Sequence, residues 1–124
     1  MKIIEAINRI DDLMHNTYTQ VDKIRWLSTL DNMVKTHIIN THEGGENVIF
    51  TGYEDDVDVH TELLIPAPYD EAYLQWLEAK VHYHNGEYDK YNNAIIMFNT
   101  SYDAYAANYH KNHKPVSSGR RFLF

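Results

Sequence analysis

Eight histidines and eighteen acidic residues, with no cysteine, are the side chains in this 124-residue sequence that could bind a metal or move a proton. Disulfides and thiolate metal sites are excluded from the start. A metal-binding histidine pair on a helix needs a spacing of three or four, as in H-E-x-x-H. His82 and His84 are two apart and project to different sides of a helix. His110 and His113 have the right spacing but fall at a helix end with no acid nearby, and His37 and His42 lie five apart across a helix terminus. Asp55-Asp56-x-Asp58, with Glu54 and Glu62, offers hard oxygen ligands for calcium. The EF-hand loop needs glycine at its sixth position, and counting from Asp56 that position is Thr61. A solvated acidic loop is the simpler use of these carboxylates. G-x-S-x-G, a phosphate loop and a dinucleotide fingerprint are all missing, and Gly44-Gly45 has neither a Lys-Ser/Thr partner nor a preceding strand. Thr41-His42-Glu43-Gly44-Gly45 is accordingly read as a helix stop in preference to an anion-binding turn. No catalytic, cofactor or metal residue is assigned.

A different chemistry is offered by Tyr88, Tyr91, Ile95, Phe98, Tyr102, Tyr105 and Tyr109, which are spaced 3, 4, 3, 4, 3, 4. This is a heptad seam with an aromatic face. Tyrosine couples a large apolar area to one hydroxyl that must find a partner or water. Five tyrosines among seven seam positions fit either an ordinary hairpin core with hydroxyls at its rim or a surface completed by another copy. Tyr88, Tyr91, Tyr102, Tyr105 and Tyr109 are candidate subunit-interface residues on the second reading. The closing Arg120-Arg121-Phe122-Leu123-Phe124 adds Arg120, Arg121, Phe122 and Phe124 to that set, since aromatic side chains and arginines suit docking on a neighbour. A free end is the alternative.

Four helices must carry these residues. Ile3, Ile7, Ile10 and Leu13 or Met14 form one amphipathic stripe over 3–14, which His15-Asn16-Thr17 closes. Thr19 with Asp22 opens a second helix over 20–40, with Val21, Ile24, Leu27, Leu30, Val34 and Ile38 on its inner face. Asp70 is expected to cap a third helix over 70–85, with Tyr73, Leu74, Leu77, Val81 and His84 inward. The tyrosine seam occupies a fourth over 87–111. The simplest geometry is a helical hairpin turned at Gly86, and one long helix through that glycine is the alternative. Between the second and third helices, residues 43–69 form a long acidic loop in which Val48-Ile49-Phe50 and Leu63-Leu64-Ile65 are candidate brief strands. The expected fold is mostly α: a compact single helical domain over 1–114 and an extended basic, aromatic tail over 115–124.

Charge narrows the partners. Residues 110–124 carry +4, so residues 1–109 carry −11 of the chain's net −7. An acidic body is a poor binder of duplex DNA, whose affinity comes from neutralised phosphates. The seam tyrosines are equally unsuited to base stacking in such surroundings. The asymmetry suits head-to-tail contact between copies, or simply a solvated surface. No stretch approaches the roughly 18–20 apolar residues of a membrane span. Met1-Lys2-Ile3-Ile4-Glu5 reaches an acid too early for a signal peptide.

Several segments resemble a family of small virion-morphogenesis proteins of tailed bacteriophages and prophages in Gram-positive hosts. They are Ile4-Glu5-Ala6-Ile7-Asn8-Arg9-Ile10, Lys23-Ile24-Arg25-Trp26-Leu27-Ser28-Thr29-Leu30-Asp31 and Thr41-His42-Glu43-Gly44. Thr61-Glu62-Leu63-Leu64-Ile65-Pro66-Ala67-Pro68-Tyr69-Asp70, Tyr91-Asn92-Asn93 and the Arg121-Phe122 region continue the likeness, which spans nearly the whole chain. Such proteins are similar to the head–tail connector, or head-completion, class. The resemblance implies a helical subunit in a ring beneath the capsid's portal vertex, with the portal and a neighbouring connector or tail-completion protein as partners. It implies synthesis in the host cytoplasm and a place in the virion, with no cofactor and no catalytic residue. The rival class is an acidic binding module that imitates nucleic acid and inhibits a host nucleic-acid-binding factor. Its acids should spread along a helical face, whereas seven of them fall between Glu43 and Glu62. An enzyme with an unfamiliar site would need a deep pocket holding perturbed carboxylates or histidines.

Overall fold

Helix α1, Ile3–Leu13, begins where Glu5 Oε1 accepts the Lys2 backbone N–H at 2.9 Å. Its next two free N–H groups donate to the carbonyls of Thr61 (3.0 Å, from Ile3) and Val59 (2.8 Å, from Ile4). A distant loop therefore satisfies donors that every helix N-terminus leaves open. Ile3, Ala6, Ile7 and Ile10 are buried, and Met14 rather than Leu13 turns toward the core. Asn16 closes the helix, its amide donating to Asp11 Oδ1 and to the Met14 carbonyl.

Helix α2, Gln20–His37, starts with the reciprocal box expected of its sequence: Asp22 N donates to Thr19 Oγ1 (3.1 Å) and Thr19 N to Asp22 Oδ2 (3.2 Å). It stops three residues short of the expected position 40, and the glycines are not what stops it. Ile38 leaves helical geometry, a 3₁₀ turn follows at Ile39–Thr41, and the Thr41 hydroxyl and His42 Nδ1 both donate to the Ile38 carbonyl at 2.7 Å. Gly45 has a different use: a Cβ there would lie 2.3 Å from the Ile39 carbonyl oxygen, so the close approach of this loop to α2's end requires glycine. A second 3₁₀ turn spans Gly45–Asn47.

Helices α3, Glu71–His84, and α4, Tyr88–Asn112, form the hairpin. Gly86 takes φ +77°, Glu87 N donates to the His82 carbonyl and Gly86 N to the Tyr83 carbonyl. This is the Schellman pattern, which ends α3 and reverses the chain. The one-helix alternative is thereby excluded. Asp70 does not cap α3. Its side chain makes no bond to the first turn, and its carboxylate lies 3.6 Å from the Met1 amine instead.

The computed structural model describes residues 1–116, and these are mostly helical. The core gathers Ile3, Ile7 and Ile10 of α1, Ile24, Leu27, Leu30 and Val34 of α2, Tyr73 and Leu77 of α3, and Phe98 and Tyr105 of α4. No strand forms among the described residues; two isolated antiparallel bridges, Lys2 with Glu62 and His42 with Pro115, are all the pairing found there. The brief strands expected at 48–50 and 63–65 are therefore absent. Backbone donors go elsewhere: Leu63 N to the Met1 carbonyl, Leu64 N to Asp31 Oδ2, Ile65 N to the Tyr73 hydroxyl, and Val48 N to the Gly45 carbonyl. Residues 115 and 116, expected in a separate tail, pair with 41–43 through Val116 N to Thr41 O (2.9 Å) and Glu43 N to Lys114 O (2.7 Å). No described helix is long and apolar enough to cross a membrane.

Candidate functional site

The tyrosine seam divides along its length. Tyr105 is 3% exposed and lies against Tyr69 and Tyr109, with ring centroids 6.2 and 6.0 Å away. Phe98 is buried on Trp76 at 5.1 Å. Tyr102 and Tyr109 are half-buried beside them, and Tyr109 stacks on His113 at 3.8 Å. Toward the hairpin turn the seam opens to solvent. Tyr91 is half-buried and Tyr88 is 60% exposed, each set against Tyr83. Most of the seam is thus a core contact with α3 and the long loop, and Tyr88 is the seam tyrosine with the most surface to offer. Arg120, Arg121, Phe122 and Phe124 lie outside the described residues.

The opposite side of α4 carries a feature that the seam obscured. Asn93, Ile96, Met97, Thr100, Ala104 and Ala107 share one outward stripe at helical spacing, and all are exposed. Ile96 and Met97 are 63% and 58% exposed. From Tyr91 through Tyr102 α4 holds no charged residue, in a chain that is 23% charged. Charge depletion around exposed apolar side chains is the compositional mark of an interface core. The sequence carries a signal for it: Ile96-Met97 sits off the seam and inside the charge-free run.

A buried carboxylate holds the long loop. Asp31 is fully buried on the inner face of α2, one turn from Leu27 and Val34. Its Oδ2 accepts from the Tyr53 hydroxyl (2.5 Å) and from Leu64 N (3.1 Å), and its Oδ1 accepts from the Tyr73 hydroxyl (2.6 Å). Tyr73 in turn accepts from Ile65 N at 2.6 Å. Burial pushes the Asp31 carboxyl above the ordinary carboxylate range, and these three hydrogen bonds only partly oppose it. Burial, then the nearby Asp31 charge, pushes the Tyr53 and Tyr73 hydroxyls upward as well. Asp31's partners are all loop or α3 donors, and the group opens onto neither of the concavities described below. It is a clamp for residues 53–65. An acid on an otherwise apolar stripe is its visible sign in the sequence.

Histidines meet in pairs that spacing does not suggest. His42 Nδ1 donates to the Ile38 carbonyl, which leaves Nε2 to accept from His110 Nδ1 at 3.3 Å. His113 Nδ1 donates to the Tyr109 carbonyl at 3.0 Å. His82 lies between Glu78 (3.5 Å) and Glu87 (3.0 Å), and His84 stacks on Trp26 at 5.2 Å. Among the described residues no three histidines or acids are placed to hold a metal. The acids of the loop are partly engaged: Asp55 receives both Arg25 Nε (3.0 Å) and Nη2 (2.7 Å).

One concavity is a shallow cleft on α2 of about 320 Å³, lined by Thr29, Asn32, Met33, Thr36 and a single titratable residue, His37. Another, of about 310 Å³, lies between Ile39 and Val48 of the turns after α2, Leu64 and Pro66 of the long loop, and Tyr105, Tyr109 and His113 at the end of α4. Neither gathers an acid–base pair around a common point.

Compared with known proteins, the chain matches no family model, no curated protein and no solved structure.

Proposed function

We propose that the chain is a non-enzymatic structural subunit of a tailed-phage particle, of the head–tail connector class. Copies associate in a ring at the portal vertex, with the portal and a further connector or tail-completion protein above and below. The observation that carries this reading is the outward stripe of α4, where Ile96 and Met97 stand exposed in a helix without charge from Tyr91 to Tyr102. A solvated helix face normally carries charged residues, whereas a face that meets another subunit is depleted of them. The segment likenesses to phage morphogenesis proteins supply the setting, and the acidic body supplies a surface that would not retain passing DNA. The nucleic-acid mimic gains nothing from the geometry, because Asp55 is paired with Arg25 and Glu62 with the Met1 amine.

The test is genetic. Deleting the gene from the element that encodes it, and imaging induced particles by electron microscopy, should give separate heads and tails with unsealed, DNA-depleted heads. A copy with Met97→Glu should fail to restore joined particles although the protein is folded and present. Complete virions in the deletion would remove the connector role.

A further inference from the structure

His42 and His110 meet in a geometry with a second use. His42 Nδ1 donates to the Ile38 carbonyl at 2.7 Å, which fixes the proton on that nitrogen and leaves Nε2 with its lone pair. A backbone carbonyl on the other ring nitrogen is the usual support of a metal-ligating histidine, because it sets both tautomer and ring orientation. The His42 ring is buried and meets the Tyr109 ring edge-on at 5.0 Å. Its Nε2 lies 3.3 Å from Nδ1 of His110. Two nitrogens bound to one tetrahedral zinc at about 2.0–2.1 Å stand about 3.3–3.4 Å apart, so the pair already has the bite of a chelate. The rings also meet where two helices end: His42 closes the turn after α2, and His110 sits in the last turn of α4. Helix C-termini carry partial negative charge and favour a cation. Lys111 and Lys114 are exposed, so solvent screens their charge from such an ion.

We propose that His42 Nε2 and His110 Nδ1 chelate a zinc ion, with water in its remaining positions. Imidazole nitrogen suits zinc and its transition-metal neighbours, whereas magnesium and calcium take oxygen ligands. Binding requires one rearrangement. His110 moves its proton from Nδ1 to Nε2, an exchange with water that an exposed residue permits. Both rings stay neutral, and no proton is gained or lost overall. Two protein ligands make a weaker site than the four of structural zinc. The ion joins residues 68 positions apart and pins the end of α4 to the turn after α2. The proposal concerns a single chain and stands apart from the assembly reading of α4.

The sequence has no cysteine, so zinc is left with histidines and acids to choose from. Calorimetric titration of the full chain with zinc chloride should show one ion bound most tightly per chain. His110→Ala should weaken that binding at least about tenfold, since even a supporting partner of a metal ligand is worth about 10–100-fold. His110 is exposed, so the substitution leaves the fold in place, which circular dichroism checks. His15→Ala, at an exposed histidine outside the pair, should bind as the wild type does. In nitrogen-15 spectra of the imidazole rings, zinc should shift His42 Nε2 and His110 Nδ1 most. Equal affinity in wild type and His110→Ala, or no binding by either, would overturn the proposal and leave the pair a hydrogen bond. So would ring shifts centred on other histidines, or zinc-linked dimers as the main species, which would assign the ion to a contact between copies.

Discussion

The two faces of α4 obey different rules although they share one backbone. The inner face follows a strict heptad, and its Phe98 and Tyr105 are buried against α3 and the loop. The outer face has small, amide and hydroxyl side chains around Ile96 and Met97, and leaves those two in solvent. Periodicity therefore identifies the face that builds the fold, and charge depletion identifies the face that has no use inside it. A single helix can be core on one side and candidate interface on the other.

The sharpest way to break this comparison is to truncate one residue on each face. Phe98→Ala should lower stability by about 3–5 kcal/mol, the usual cost of deleting a buried aromatic ring. Met97→Ala, its neighbour in sequence, should change stability by no more than about 0.5 kcal/mol, as surface substitutions generally do. Urea denaturation followed by circular dichroism reads both. Similar losses at the two positions would mean that the outer face belongs to the fold.

The Asp31 clamp gives the next effect. Asp31→Asn leaves one acceptor atom where Tyr53, Tyr73 and Leu64 now donate to two. At least one buried donor then goes unpaired, at a cost of about 1–3 kcal/mol. The sign of the pH dependence follows from the upward shift of Asp31 in the folded chain. A raised folded-state value means that the group's contribution is complete below the unfolded carboxylate range, near about pH 4, and is lost as pH rises through the folded value. The stability difference between wild type and Asp31→Asn should accordingly be largest near about pH 4 and shrink toward neutrality. A difference that grows with pH would show that Asp31 is held ionised.

Much of the framework is legible in the sequence. Four helices, the Thr19 and Asp22 box and the turn at Gly86 rest on short-range chemistry, which neighbouring residues specify. What is not legible depends on long-range partners. Apolar runs at 48–50 and 63–65 suggest brief strands, yet Leu64 and Ile65 direct their N–H groups to the side chains of Asp31 and Tyr73, which only the tertiary fold brings there. His42 and His110 meet across 68 positions, beyond any spacing rule. The apolar stripe overestimates the length of α2, because Ile38 continues it while Thr41 and His42 end the helix with side-chain bonds. On α4 the seam is plain and the outer stripe is not, because a strong period masks a weak signal in composition.

Gly86 sharpens the comparison at the point where both faces begin. Its φ of +77° is uncomfortable for any L side chain, while a Cβ there would meet nothing within 4 Å. The cost of Gly86→Ala is therefore purely conformational, about 1–2 kcal/mol. Alanine also favours the straight helix that competes with the hairpin, by about 1 kcal/mol. Thermal denaturation should register the loss with helix content unchanged at low temperature. A neutral result would mean that the turn tolerates a left-handed alanine and that hairpin packing alone reverses the chain.

Tyr102, half-buried on the seam beside Phe98, gives the smallest effect. Its hydroxyl is buried yet has no hydrogen-bond partner among the described residues, and burial, with Asp103 and then Asp31 nearby, pushes its ionisation upward. An unpaired buried hydroxyl disfavours the fold that contains it. Tyr102→Phe should leave the chain as stable or raise its stability by up to about 1 kcal/mol. Tyr73→Phe, which removes a hydroxyl bonded to both Asp31 and Ile65, should instead cost about 1–3 kcal/mol. Parallel denaturation of the two variants separates a hydroxyl that the fold uses from one that it does not. Equal destabilisation would mean that Tyr102 bonds a group within the fold.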